Sequence, residues 1–176
     1  MAFIILDRDG VINFDSDFYI KTPDEWHPIP GSLEAIAKLN RLGYRVIIAT
    51  NQSGVARKLY DLPMLEQIHE KLLRSVKEAG GEIEEIFFCP HHPDEKCPCR
   101  KPQTGMIVEI QKKYGMDLTE TFFVGDSYTD MQAAISAGCK PLLVMTGNGK
   151  KTIEKYPETL SIRQFEDLAD IVKKIF

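Results

Sequence analysis

Phe3-Ile4-Ile5-Leu6-Asp7-Arg8-Asp9-Gly10 is the stretch on which the reading of the fold turns. Four consecutive apolar residues make one short buried strand, and a strand apolar on both faces belongs to a sheet covered on both sides. The run gives way at once to two carboxylates and a glycine, a turn composition, so Asp7 and Asp9 are predicted to emerge where the strand leaves the sheet. Working outward, four more apolar runs repeat the theme: Val46 to Ala49, Ile86 to Phe88, Thr121 to Val124 and Leu142 to Met145. Between them apolar residues recur at helical spacing, as in Leu33, Ile36 and Ala37; Leu65, Ile68, Leu72 and Val76; Ile107, Ile110 and Tyr114; and Phe165, Leu168, Val172 and Ile175. Gly31 and Ser32 can start the first helix, Gly43 can end it, and Gly80-Gly81 follows the second. Strand and helix alternate. That order predicts an α/β fold, a Rossmann-like parallel sheet with helices on both faces and ligands outside the carboxyl ends of the strands.

The 176 residues, 43% hydrophobic and 27% charged, are expected to form a single domain over residues 1–176 with one core. Twenty-two Lys and Arg against 26 Asp and Glu give a net charge of -4, which argues against nucleic acid or an anionic membrane as partner. No apolar run approaches the roughly 18 to 20 residues that span a bilayer. Asp7, Arg8 and Asp9 also interrupt the segment where a signal peptide would stay apolar. The expectation is a cytoplasmic, monomeric protein in a reducing compartment.

Three other predicted strand ends carry polar groups: Thr50-Asn51-Gln52-Ser53, Arg100-Lys101 in the loop after the third strand, and Gly125-Asp126-Ser127 followed by Asp130. Each has an ordinary reading in isolation. Asp-x-Asp-Gly is a common acidic turn, Thr50 can cap a turn, and Asp130 can start the helix that holds Met131, Ala134 and Ile135. In this order and at these strand ends, the four motifs resemble those of the haloacid dehalogenase superfamily of phosphatases, over most of the chain. A phosphate monoester is dianionic and repels a carboxylate nucleophile, so cations and hydrogen-bond donors must offset charge at the phosphoryl oxygens. The resemblance implies that Asp7 attacks phosphorus and forms an aspartyl-phosphate. It also implies that Asp9 acts as general acid and then base, and that Thr50 and Lys101 hold the transferring oxygens. Asp7, Asp126 and the backbone carbonyl of Asp9 would hold Mg2+, an ion suited to oxygen ligands and substrate phosphate. No inserted cap domain fits between Asp9 and the helix near Gly31, or between Ser53 and the helix near Pro63.

Cys89-x-His91 and Cys97-x-Cys99 supply three sulfurs and one imidazole in a loop of about residues 89–99, the closed tetrahedral set of a structural zinc site. Prolines at 90, 93 and 98 stiffen that loop, and His92 stands as an alternative to His91. Cys139, far off beside an apolar strand, is expected to be a small core residue. Such a zinc has no open position for substrate, so its expected work is to fix Arg100 and Lys101, which directly follow Cys99.

The cluster followed by Arg100-Lys101-Pro102 narrows the resemblance to zinc-loop members that act on a small phosphorylated metabolite, either a sugar bisphosphate of the heptose type or histidinol phosphate. The runs Asn51 to Arg57, Cys89 to Pro93 and Asp130 to Ala134 look closer to the former, and the five residues between His91 and Cys97 look closer to the latter. By resemblance, Asn13, Asp15, Ser16, Asp17, Phe18, Asn51, Gln52, Ser53, Arg100 and Ser127 would contact substrate, with Ser127 standing where a basic residue is frequent. Arg100 could grip a second phosphate in bidentate fashion. Tyr19, Trp26 and His27 either line the pocket or pack its loop. From a different class, an inactive phosphate-binding module remains the alternative to an enzyme.

Overall fold

The computed structural model describes residues 2–176. Six strands and six helices follow one another as β1 (Ala2–Leu6), α1 (Ser32–Arg41), β2 (Tyr44–Asn51), α2 (Leu62–Glu78), β3 (Glu85–Cys89), α3 (Gly105–Tyr114), β4 (Phe122–Gly125), α4 (Tyr128–Ala137), β5 (Lys140–Val144), α5 (Gly149–Lys155), β6 (Arg163–Phe165) and α6 (Leu168–Ile175). The strands form one sheet in the order β3-β2-β1-β4-β5-β6, and every pairing is parallel. The chain therefore winds outward from β1 in one direction through β2 and β3, and in the other through β4, β5 and β6. β1 and β4 flank the point where the winding reverses, and at such a point the loops beyond the strand ends part to leave a crevice.

Alternation along β1 explains the two covered faces. Ile4 and Leu6 pack with Val46, Ile48, Val124 and Val144 beneath Ile36 and Leu39 of α1, Ile68 and Leu72 of α2, and Ile171 and Val172 of α6. Phe3 and Ile5 point the other way, with Ile47, Ala49 and Phe123 beneath Ile107 and Ile110 of α3 and Ala133 and Ala134 of α4. A period of two along each strand with apolar residues in both phases allows only this double covering.

The five predicted strands are all present, and two elements differ from expectation. Phe165 ends a sixth strand, pairing Val144, instead of opening the last helix. The reason is local: the Asp167 carboxylate accepts the amide of Asp170 at 2.8 Å, which sets the helix start at Leu168. α5 carries no apolar stripe, its buried residues being Gly149 and Thr152, so periodicity could not reveal it. Cys139 is buried, as expected. Among the described residues, no helix is long and apolar enough to cross a membrane.

Candidate active site

Asp7 leaves β1 with its amide bonded to the Val124 carbonyl, so its carboxylate stands beyond the sheet edge beside the end of β4. Asp7 Oδ1 accepts the Arg8 amide at 2.8 Å and lies 2.9 Å from Lys101 Nζ. The Lys101 ammonium is buried, donates to the Ala49 carbonyl at 2.8 Å and sits 2.6 Å from Asp130 Oδ1. Asp7, Asp126 and Asp130 bring carboxylate oxygens within 4.8 Å of one another. Burial, then Asp130, raises Asp7 to about 7 against the pull of Lys101. Burial raises Asp126 well above the ordinary range, with Asp130 and Asp7 adding to it. Burial works against the Lys101 charge as well, but Asp130 and Asp7 outweigh it and hold the ammonium above its usual pKa. Three buried carboxylates around one ammonium leave negative charge uncompensated, and an all-oxygen donor set of this kind fits a hard divalent cation such as Mg2+.

Two loops close around Asp126. Gly10 has φ +81° and Gly147 φ +55°, and a Cβ on either would overlap the Asp126 carboxylate. Only glycine meets both the left-handed backbone and the close approach. Asp126 Oδ2 accepts the Asn148 amide at 2.7 Å and lies 3.3 Å from Asn148 Nδ2, which also donates to Asp15 Oδ2 at 2.8 Å. Thr146 Oγ1 donates to the Gly10 carbonyl at 2.6 Å and locks the two loops together.

These groups open into a cleft of about 340 Å³ lined by Asp7, Asp9, Asp15, Ser16, Asp17, Tyr19, Ile20, Thr50, Asn51, Gln52, Ser53, Arg100, Lys101, Asp126, Ser127, Thr129, Asp130 and Asn148. Most of the expected site residues therefore meet in one place. Asn13 and Phe18 are absent from the lining: Asn13 is fully buried and donates to Asp9 Oδ1 at 2.9 Å, whereas Phe18 is 80% exposed. Asn51 faces the cleft, yet its amide holds the Lys101 backbone, donating to the Lys101 carbonyl at 3.1 Å and accepting its N–H at 3.0 Å. The Ser127 hydroxyl caps α4, accepting the Asp130 amide at 3.2 Å and donating to Asp130 Oδ2 at 2.6 Å. Asp130 thus serves as both helix start and anchor for Lys101. Arg100 Nη1 is buried and has no hydrogen-bond partner among the described residues, an open valence on a cation beside the cleft. Trp26 lies in the core, and Tyr19 alone of the three weighed aromatic and imidazole groups lines the cleft. Asn148 went unread. The signal was Thr146-Gly147-Asn148-Gly149, a turn composition in the loop that follows β5 at the same edge.

The second cluster lies beyond β3. Cys99 Sγ is 2.9 Å from Cys89 Sγ and 3.4 Å from Cys97 Sγ, and His91 Nδ1 is 3.2 Å from Cys99 Sγ and 3.4 Å from Cys89 Sγ. Burial and the neighbouring sulfurs raise Cys99, and burial raises Cys89. Cys97 moves down to about 7: burial opposes the shift, and the backbone amide of Arg100 leads the groups that favour the thiolate. His92 is turned to other work, its Nδ1 accepting the Asp94 amide at 3.2 Å at the start of a short helical turn. The donor set is therefore Cys89, His91, Cys97 and Cys99, and four such ligands fit one tetrahedral ion.

Residues 98–171 match the family of HAD-hydrolase-like proteins. A D-glycero-beta-D-manno-heptose-1,7-bisphosphate 7-phosphatase from Pseudomonas putida is 53% identical over 176 residues, covering 99% of both chains. The chain belongs to this family of haloacid-dehalogenase-like phosphatases. The fold agrees: a crystal structure of the D,D-heptose 1,7-bisphosphate phosphatase from B. bronchiseptica, complexed with magnesium and phosphate, matches with a TM-score of 0.96 at 50% identity, over 99% of this chain and 98% of that one. The corresponding enzyme from Burkholderia thailandensis matches with a TM-score of 0.78 at 40% identity, over 98% and 97%. As in the sequence-based expectation for this phosphatase family, only loops and one short helical turn lie between β1 and α1, and only a loop between β2 and α2.

Proposed function

We propose that the chain removes the 7-phosphate of D-glycero-D-manno-heptose 1,7-bisphosphate, as a soluble cytoplasmic monomer with no nucleic-acid or membrane partner. The observation that carries the chemistry is the buried Asp7–Lys101–Asp130 array beside Asp126, at the edge where the sheet reverses its winding. The substrate assignment is supported by the names and full-length similarity of the relatives.

Asp7 Oδ1 is taken by the Arg8 amide and Lys101, which leaves Oδ2 to attack phosphorus. As that bond forms, the bond from phosphorus to the ester oxygen breaks and the leaving oxygen takes a proton from Asp9. A water then loses a proton to Asp9 and attacks the aspartyl-phosphate. Its phosphorus–oxygen bond to Asp7 breaks, returning the free carboxylate and inorganic phosphate. Thr50 would hold a phosphoryl oxygen through both steps, and Lys101, whose three N–H groups go to Ala49, Asp7 and Asp130, would turn one of them to a phosphoryl oxygen when substrate binds. Asp7, Asp126 and the backbone carbonyl of Asp9 would hold Mg2+, which supplies positive charge at the phosphoryl oxygens when bound. Cys89, His91, Cys97 and Cys99 would hold a structural Zn2+ that sets Arg100 and Lys101 in place. Arg100, with a free buried N–H, would bind the second phosphate, while Asp15, Ser16, Asp17, Gln52 and Ser53 line the space for sugar hydroxyls.

A comparison of kcat/KM on heptose bisphosphate, histidinol phosphate and fructose bisphosphate tests the substrate. The heptose ester is expected to lead by at least about tenfold, roughly 1.4 kcal/mol of transition-state discrimination. A clear preference for histidinol phosphate would replace this assignment with the runner-up.

A further inference from the structure

Arg8 lies between the two active-site carboxylates of the first motif, yet its side chain is fully buried and reaches neither the cleft nor solvent. A buried guanidinium is costly unless its donors are paired, so its partners describe its work. Nε donates to Asp9 Oδ1 at 3.0 Å and Nη2 to Asp9 Oδ2 at 3.0 Å, a two-pronged grip on one carboxylate. The remaining prong, Nη1, lies 3.2 Å from Nε2 of His69, a buried residue of α2. Arginine has no acceptor and does not give up its proton, so His69 must present the Nε2 lone pair and carry its own proton on Nδ1. Burial, and then the Arg8 charge, push His69 down to about 3, which keeps that lone pair available at any working pH.

The rest of the Asp9 shell has the same character. Asn13 Nδ2 donates to Oδ1 at 2.9 Å and Gln52 Nε2 to Oδ2 at 2.9 Å. Gln52 is turned the right way by the Tyr60 hydroxyl, which donates to its Oε1 at 2.7 Å. Simple charge neutralisation would need no such geometry, since one ammonium anywhere nearby would serve. The backing comes from α2, an element that contributes no residue to the cleft lining.

We propose that Arg8, buttressed by His69, is a positioning residue that fixes the rotation of the Asp9 carboxylate and so aims the proton it gives to the leaving oxygen and takes from water. This rests on the reading of Asp9 as general acid and base, and the two can fail separately. With p-nitrophenyl phosphate the leaving phenolate needs no proton, so formation of the aspartyl-phosphate is insensitive to the aim of Asp9. Its hydrolysis is not, because water must still lose a proton.

Stopped-flow with Mg2+ present therefore separates the steps. For Arg8→Lys and His69→Leu we expect one equivalent of p-nitrophenolate released at close to the native rate. Steady turnover should then fall by about 10- to 100-fold, within the range for disturbed general acid–base catalysis, with KM little changed. His69→Gln restores an acceptor toward Nη1 and should recover most of the loss. Should Arg8→Lys fail to fold, the His69 pair carries the test. Native turnover in His69→Leu, or an equal slowing of burst and turnover in the variants, overturns the positioning role. Asp9→Asn is the control for the underlying reading: it should give the burst and then stop, and undiminished turnover there would overturn the acid–base assignment itself.

Discussion

The molecule holds two clusters of like groups that call for a cation, and they are built in opposite ways. Asp7, Asp126 and Asp130 come from the ends of β1 and β4 and the start of α4, and meet only because the sheet places those ends side by side. Cys89, His91, Cys97 and Cys99 lie within eleven residues of one another and meet because one proline-stiffened loop turns back on itself. The acidic cluster already contains a protein cation, Lys101, and opens into a cleft of about 340 Å³, so its charge is completed by what binds there. The cysteine and histidine cluster offers four ligand atoms, a set that would close a tetrahedron around one ion and leave no position for substrate. On the proposed reading, one demand for positive charge would yield a reactive centre where the donors come from distant elements around open space, and a fastener where they come from one loop.

The hardest blow to the acidic side is Asp7→Asn. Under the proposed mechanism it removes the nucleophile and leaves a side chain of the same shape, so kcat should fall by about 10⁴-fold or more while the fold persists. Phosphate release by purified protein, checked against an unchanged thermal melt, measures it, and retained turnover would end the covalent mechanism. On the loop side, Cys99→Ser should abolish stoichiometric zinc and lower activity by about 10- to 100-fold, because Arg100 and Lys101 lose their support. Metal analysis beside kcat/KM decides this. A zinc-free variant with native activity would break the link between the two clusters.

How legible each cluster was in the sequence follows from the same difference in construction. The candidate ligands of the loop stand close in sequence, so their spacing alone suggests that they meet, whereas the choice between His91 and His92 turns on the Asp94 amide that His92 accepts. Asp7 and Asp126 could be placed at one sheet edge because each follows an apolar run, whereas Asp130 read as a helix start and joins them through the first turn of α4. What stayed hidden is side-chain contact between segments far apart in sequence, and elements too short to show a period. Asn148 reaches Asp126 from the loop after β5, His69 reaches Arg8 from inside a helix where it looks like any buried polar residue, and β6 is a three-residue edge strand with one buried side chain. Asn13 and Phe18 show the converse: a motif position can be read correctly as part of the site's neighbourhood while its side chain turns behind Asp9 or out to solvent.

Asn148 sharpens the comparison, because it acts on one cluster only. Its backbone N–H and side-chain amide both address Asp126 Oδ2, fixing how that carboxylate faces the cleft. Asn148→Ala should raise the Mg2+ concentration for half-maximal activity by about tenfold, the lower end of effects seen when a group orienting a metal ligand is removed. Zinc content should stay native. Calorimetric titration with Mg2+ in the presence of inorganic phosphate gives a second reading, and an unchanged affinity in both would show that the backbone N–H alone suffices.

The smallest effect concerns stability. His69 has a folded pKa of about 3, set first by burial and then by Arg8, with Asp9 opposing, against about 6.5 for an exposed imidazole. Between those values the unfolded chain binds a proton that the folded chain does not, so this residue makes the protein less stable as pH falls from 6.5 towards 3. Between pH 7 and pH 5.5 the loss should be about 1 kcal/mol. Acid would also weaken any zinc held by the 89–99 loop, since metal ligation needs its thiols and imidazole unprotonated, but that loss is common to the native protein and to His69→Gln and cancels in their difference. Urea melts of both proteins across this range should therefore draw together as pH falls, with the native protein losing the extra stability. Parallel pH dependences would mean that His69 is protonated in the folded state, and a protonated imidazole could not accept from Arg8.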